Sequence, residues 1–341
     1  MRRILVFLTF GALAWILWIY ETRFPLRAED GPALALVVAQ GDHVQSIAEQ
    51  LHAIGLVRYP LLFRAFVYLH GAGGRLRAGE YSLEGPFSLA DIVDVLVRGE
   101  VVRRDVTFPE GKNLDEMTLI VGEHGLDVPA FEAATRDPRL VRDFDGEASN
   151  LEGYLFPDTY DVPKSGETAA ETRRLVARMV ERFRSVVGPE RERLASRGLT
   201  VRQAVTLASL VELETAQAQE RPRIAAVFLN RLRLGMPLQT DPTVIYALRK
   251  AGAYEGTIRK RDLSIDSPYN TYKHVGLPPG PIASAGRESL RAVLEPADVK
   301  DLYFVSRNDG THEFSETLAQ HERAVDRFQR HREASRATGK T

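Results

Sequence analysis

The sequence has no cysteine among its 341 residues, which excludes disulfide staples, thiolate metal sites and a cysteine nucleophile. It also lacks any excess of one charge: 45 basic against 46 acidic side chains leave a net charge of -1, without the basic surplus that nucleic-acid binding requires. The eight histidines are scattered, with no His-x-x-x-His spacing for a zinc protease. No glycine loop is suited to cradling phosphates, and no G-x-S-x-G elbow surrounds Ser209. A zinc protease, a nucleotide enzyme and a serine hydrolase are therefore not expected. At 44% hydrophobic and 27% charged, the composition is that of an ordinary globular chain with length for two domains or more.

One long apolar run is present. Arg2 and Arg3 precede Ile4 to Tyr20, a stretch without charge that Glu21, Arg23 and Pro25 end. Trp15, Trp18 and Tyr20 gather at its outer end like an interfacial belt, and no small-x-small cleavage site follows. These features favour a retained transmembrane anchor over residues 1–25 rather than a cleaved signal. The two arginines place the tip in the cytoplasm and the remainder of the chain outside it.

Residues 33–105 read as short alternating pieces. The pattern predicts a strand, a Gly-Asp turn, a helix with Val44, Ile47, Ala48 and Leu51 inward, a second helix from Pro60, and a strand near RLRAGEYSL. A further helix starts at Ser88 and stops at Gly99. In layout, strand, helix, helix, strand resembles a LysM-like α/β module, a small fold that often grips N-acetylated glycans; the plain alternative is a membrane-proximal spacer. Residues 101–125 open with a strand, break at Pro109 and Gly111, and continue as a helix from Asn113, which reads as a link. LEGYLFPDTYDVP (151–163) alternates aromatics with Glu152, Asp158 and Asp161, suiting either a carbohydrate surface or a buried aromatic corner. The helix at 171–188 is amphipathic and is expected to pack on the helix that follows.

That following stretch, from Thr200 to Leu248, organises the rest. Thr200 with Gln203 forms a capping box, and Val201 to Val211 are apolar on almost every side, as in a buried helix. At its end stand Glu212 and Glu214. A carboxylate there must be paired, solvated in a cleft or kept protonated, and a carboxyl kept protonated near neutral pH is what a general acid needs. Spacing puts Glu212 on the face of Val201, Val205 and Ala208, and Glu214 on that of Gln203, Leu207 and Leu210, so only one can face a scissile bond. A helix with Pro222 in its first turn follows, ending at Gly235. In GMPLQTDP, Asp241 before Pro242 reads as a helix cap, while Gln239 and Thr240 have no such local role. Residues 267–286, rich in Pro, Gly, Tyr and Asn, are expected to line the glutamate's cleft. Two short strands, a polar helix and a disordered tail from residue 333 close the chain.

LEGYLFPDTY, LASLVELET, FLNRLRLGMPLQTDPTVIY, YNTYKHVGLPPGPIASAG and LYFVSRNDGTHEFSETLAQH resemble the motifs of the MltG/YceG-like endolytic lytic transglycosylases, bacterial inner-membrane enzymes that cut nascent peptidoglycan. The resemblance covers nearly the whole chain and implies an α+β protein: a transmembrane helix, a LysM-like module (33–105), a mainly helical catalytic domain with short strands (106–332), and a tail (333–341). The family carries Glu-x-Glu here, commonly with a basic middle residue, from which Leu213 departs. Glu214 followed by Thr215 is similar to the Glu-Ser pair of other lytic transglycosylases and is favoured as the acid, with Glu212 structural. The resemblance implies no metal or cofactor, a glycan-strand substrate, an inner-membrane location with the catalytic domain in the periplasm, and penicillin-binding synthases as partners. Gln239, Thr240, Asn270 and Tyr272, and less readily Asp241, are the candidates for holding acetamido groups and hydroxyls. The rivals are a muramidase-type hydrolase with Asp241 or Asp158 as partner acid, and a non-enzymatic wall-binding scaffold.

Overall fold

The computed structural model describes residues 15, 18–20, 23–24 and 32–330, and within them the chain divides into two compact units. The first unit runs to Val106 and takes back Tyr160–Thr172; the second holds Thr107–Thr159 and everything from Arg173. The apolar run at 4–20 and the tail from 333 lie largely or wholly outside the described residues, among which no helix is long and apolar enough to cross a membrane.

In the first unit, β1 (Leu34–Val38) pairs antiparallel with β2 (Gly79–Leu83), Leu34 opposite Leu83 and Val38 opposite Gly79. The strands alternate, so Leu36 and Val38 face the same core as Tyr81 and Leu83. Between them come α1 (Val44–Ala53) and α2 (Pro60–Leu69), the latter with proline in its first turn, where a missing N–H costs nothing. Ser88 and Asp91 close a capping box on α3 (Leu89–Arg98), and Gly99 ends it at φ 68°. Ile47, Leu51, Phe63, Val67, Ile92 and Leu96 fill the space between. β3 (Arg103–Thr107) and β4 (Thr159–Pro163) form a second two-stranded sheet.

The second unit is mainly helical. It comprises α4 (Leu114–Glu123), α5 (Val128–Thr135), most of α6 (Thr168–Val187), α7 (Arg191–Ser196), α8 (Val201–Glu214), α9 (Arg221–Arg233), α10 (Asp241–Lys250) and α11 (Arg287–Leu294). The strands β5 (Tyr303–Ser306) and β6 (His312–Ser315) then pair antiparallel, and α12 (Leu318–Val325) follows. Helix α8 is the core element: its capping box forms as Thr200 and Gln203 predict, and Ala204 to Val211 are buried without a break. It is packed by α9, α10 and α11. Helix α6 instead sets its apolar face against the 151–156 segment, where Phe183 meets Tyr154 edge to face and Met179 O accepts from Phe156 N. Tyr154 and Phe156 are buried and Asp158 is paired with Arg182 at 2.9 Å, so this segment is an aromatic corner and not a sugar-stacking surface.

Candidate active site

Helix α8 ends because the backbone turns extended at Thr215, φ -144°, leaving Glu212 and Glu214 on its last turn. The C-terminus of a helix is the wrong end for an anion, so each carboxyl needs its own solution. Glu212 is held by two donors: Arg221 Nη2 at 2.9 Å and the Gly286 amide at 2.9 Å. Among the described residues, Glu214 receives only the Thr240 hydroxyl. Burial pushes its carboxyl up from 4.5 to about 7, and the negative charge of Asp241 adds to this; the Thr240 hydrogen bond and the Arg231 charge oppose it. Two carboxyls two residues apart thus occupy environments of different kinds, one locked in an ion pair and one poised to exchange a proton near neutrality.

Both face an open cleft of about 590 Å³, within the ~300–1,000 Å³ span of small-ligand sites. Its lining comes from Glu110, Gly111, Lys112, Asn113 and Glu116 on one segment, from 212–216 and Arg221, from Pro242, Ile245, Tyr246 and Arg249 of α10, and from Ile282. Residues 101–125 are therefore more than a link. Two backbone bonds fix their wall, Gly111 N to Ser284 O and Ser284 N to Lys112 O, each 2.9 Å. Glu110 in this wall is also held up, by partial burial first and then by Glu212, against the lowering effect of Arg221. Behind the cleft, Glu152 is 4% exposed and pushed by burial to about 7. It accepts from Leu114 N at 3.0 Å and from the Tyr246 hydroxyl at 3.2 Å. The signal for Glu152 was an acid inside an aromatic segment; the signal for Glu110 was only its Pro-Glu-Gly turn.

The other expected residues divide. Thr240, and not Asp241, occupies the N-cap position of α10, because Pro242 in the first turn lets the helix begin at Asp241. Thr240 is 2% exposed and its hydroxyl goes to Glu214. Asp241 is exposed and accepts from the Tyr272 hydroxyl at 2.6 Å, and burial with this bond pushes the Tyr272 phenol up. Gln239 is exposed in the left-handed region, φ 53°, a conformation costly for a residue with a Cβ and characteristic of functional turns. Asn270 departs from expectation. It is fully buried, its amide donates to Leu263 O and Ile265 O at 2.9 Å each, and its oxygen accepts from Tyr272 N, so it builds the loop and is not open to a substrate. The 267–286 segment is exposed at Lys273–Val275 and buried from Gly280 to Gly286, it contributes Ile282 to the cleft lining, and Ser209 is the hook that accepts from Ile282 N at 3.2 Å.

A cleft of polar walls around a carboxyl that holds its proton to near neutral pH defines an enzyme of the acid–base class. The chain belongs to the YceG-like family, whose model matches residues 36–327. A protein named endolytic murein transglycosylase from Bacillus subtilis (strain 168) is 32% identical, over 89% of this chain and 87% of that protein. One of the same name from Streptococcus pneumoniae serotype 2 (strain D39) is 32% identical over 94% of this chain but only 63% of its own length. The crystal structure of a putative yceG-like protein from Listeria monocytogenes is 30% identical and superposes with a TM-score of 0.58, over 85% of this chain and 98% of that one.

Proposed function

We propose that the chain is an endolytic peptidoglycan lytic transglycosylase in which Glu214 is the acid. The observation that carries the assignment is the pairing of a carboxyl raised to about 7 with a single hydroxyl donor at the cleft, two residues from a glutamate already committed to Arg221. Protonated Glu214 gives its proton to the glycosidic oxygen leaving C1 of N-acetylmuramic acid. The resulting carboxylate takes the proton of that sugar's 6-hydroxyl as its oxygen bonds to C1. One C–O bond breaks, one forms, no water is consumed, and the product carries a 1,6-anhydro end. Asp241 and Tyr272, whose electrostatics couple to Glu214, and Gln239 on the turn before Thr240 are the groups assigned to meet acetamido and hydroxyl groups, although none of the three lines the cleft itself. The apolar run at 4–20 acts as an inner-membrane anchor with the enzyme in the periplasm, residues 33–105 act as a LysM-like module, and peptidoglycan synthases supply the strands.

Digestion of isolated glycan strands followed by mass spectrometry tests this reading. An anhydro end is expected; an end heavier by one water would establish a hydrolase. Glu214→Gln should lower the rate at least ~100-fold, the scale of lost acid catalysis. Glu212→Gln should keep the chemistry while losing up to about 3 kcal/mol of stability, because it removes the nearer of the two carboxylates that meet the buried Arg221 and leaves only Glu110 at 3.7 Å. Equal cleavage by wild type and Glu214→Gln would remove Glu214 as the acid, and no cleavage by wild type would leave only a wall-binding scaffold.

A further inference from the structure

Helix α2 of the first unit buries one side and leaves the other apolar. Phe63, Phe66 and Val67 enter the core, whereas Leu61 is 70% exposed, Tyr68 84% and Leu69 68%. At 3.6 residues per turn, Tyr68, Leu61, Ala65, Leu69 and Leu62 fall on one continuous sector about 120° wide. An unbroken apolar stripe on a surface helix marks contact with something apolar. Three observations on the same unit say what. The sector's edge is Phe66, and the ring of Trp18 lies against it, centroids 6.0 Å apart. Trp18 sits at the outer end of the apolar run, so the stripe adjoins the point where that run reaches the folded protein. Beside it, Trp15, Tyr20 and Phe24 are themselves exposed, the last two stacked at 5.5 Å, as aromatic side chains stand at a lipid headgroup level. Finally, residues 58–77 contain four arginines and no acid, and Arg64 flanks the stripe on its polar side.

We propose that this face of α2 lies in the headgroup region of the bilayer, with Leu61, Tyr68 and Leu69 dipping into the acyl boundary and Arg64 and Arg75 meeting anionic lipid phosphates. The inference rests on the proposed membrane anchor and extends it: the first unit is then an interfacial foot lying on the membrane, not a module held away from it on a flexible stalk. Burying two or three apolar side chains of this type is enough to fix an orientation once the anchor has supplied proximity.

The absence of native cysteine makes the test direct. The full chain carrying Tyr68→Cys, Leu69→Cys or, on exposed α3, Asp94→Cys is labelled with an environment-sensitive fluorophore and reconstituted into vesicles containing phosphatidylglycerol. At 68 and 69 the emission should move to the blue and be lost to lipids bearing a nitroxide near the headgroup; at 94 it should do neither. Chains that float with vesicles but show the same response at all three positions overturn the interfacial face and leave the anchor standing. Chains that do not float overturn both. Self-quenching at 68 that grows with the protein-to-lipid ratio, without lipid quenching, assigns the stripe to a second copy of the chain and also overturns the proposal.

Discussion

The hydroxyl of Thr240 works against the burial that raises Glu214, because it favours the charged carboxylate. Removing it in Thr240→Val should raise the Glu214 pKa further. Cleavage by wild type is expected to fall as pH rises through about 7, and in the variant this alkaline limb should move up by about one pH unit, the size of a charge-assisted hydrogen bond. An unmoved limb in the pH–rate profile would mean that Thr240 does not set the acid. Glu152 is raised from 4.5 to about 7 in the folded protein. A carboxyl whose folded pKa lies above its unfolded value contributes stability that is fully present below the unfolded value and is lost as pH rises through the folded one. Glu152 and Glu214 act in the same sense, so urea unfolding should show lower stability at about pH 8 than at about pH 5, by up to roughly 3 kcal/mol per carboxyl. Glu152→Gln keeps the shape, removes one of the two titrations, and should cut that dependence to about half, the Glu214 share remaining; an equally steep variant would count against a protonated Glu152.

Helix α8 was the most legible element, since its cap, its length and its acidic end are all written in contiguous residues. The turn that presses on it was not. Gly153 holds φ 80° with Pro281 at 2.4 Å and Val205 of α8 at 3.2 Å from where a Cβ would stand. Gly153→Ala therefore combines left-handed strain with overpacking and should cost about 2–5 kcal/mol, read as a fall in the thermal midpoint. A change under about 0.5 kcal/mol would show that the corner yields. The same distinction between local and distant contacts explains the other outcomes. Asp241 read as a cap because Asp-Pro is a local signal, yet the register of α10 begins one residue earlier and gives Thr240 that place. Asn270 carries loop chemistry in sequence and is buried by carbonyls five and seven residues before it. Gly111 and Lys112 meet Ser284 over more than 170 positions through a short backbone ladder, which no periodicity announces.

The second unit carries the cleft with Glu212 and Glu214, and the first carries the exposed apolar face of α2. On the proposed anchoring at the membrane, a form beginning near Ala33 should keep bond cleavage on isolated glycans but fail to replace the full chain in cells. Full complementation at matched abundance would make the anchor dispensable. The first unit is also discontinuous, ending at Val106 and resuming only at Tyr160. A polypeptide that emerges amino end first therefore presents β3 well before its partner β4 exists outside the ribosome. An unpaired strand edge invites association with other chains. Three of the five residues of β3, Arg103, Arg104 and Asp105, are charged, and Arg103 later pairs with Asp161 on β4. Those charges guard a waiting edge during biogenesis, so replacing them with apolar residues would reveal itself first as aggregation of newly made protein, before any change in the finished enzyme.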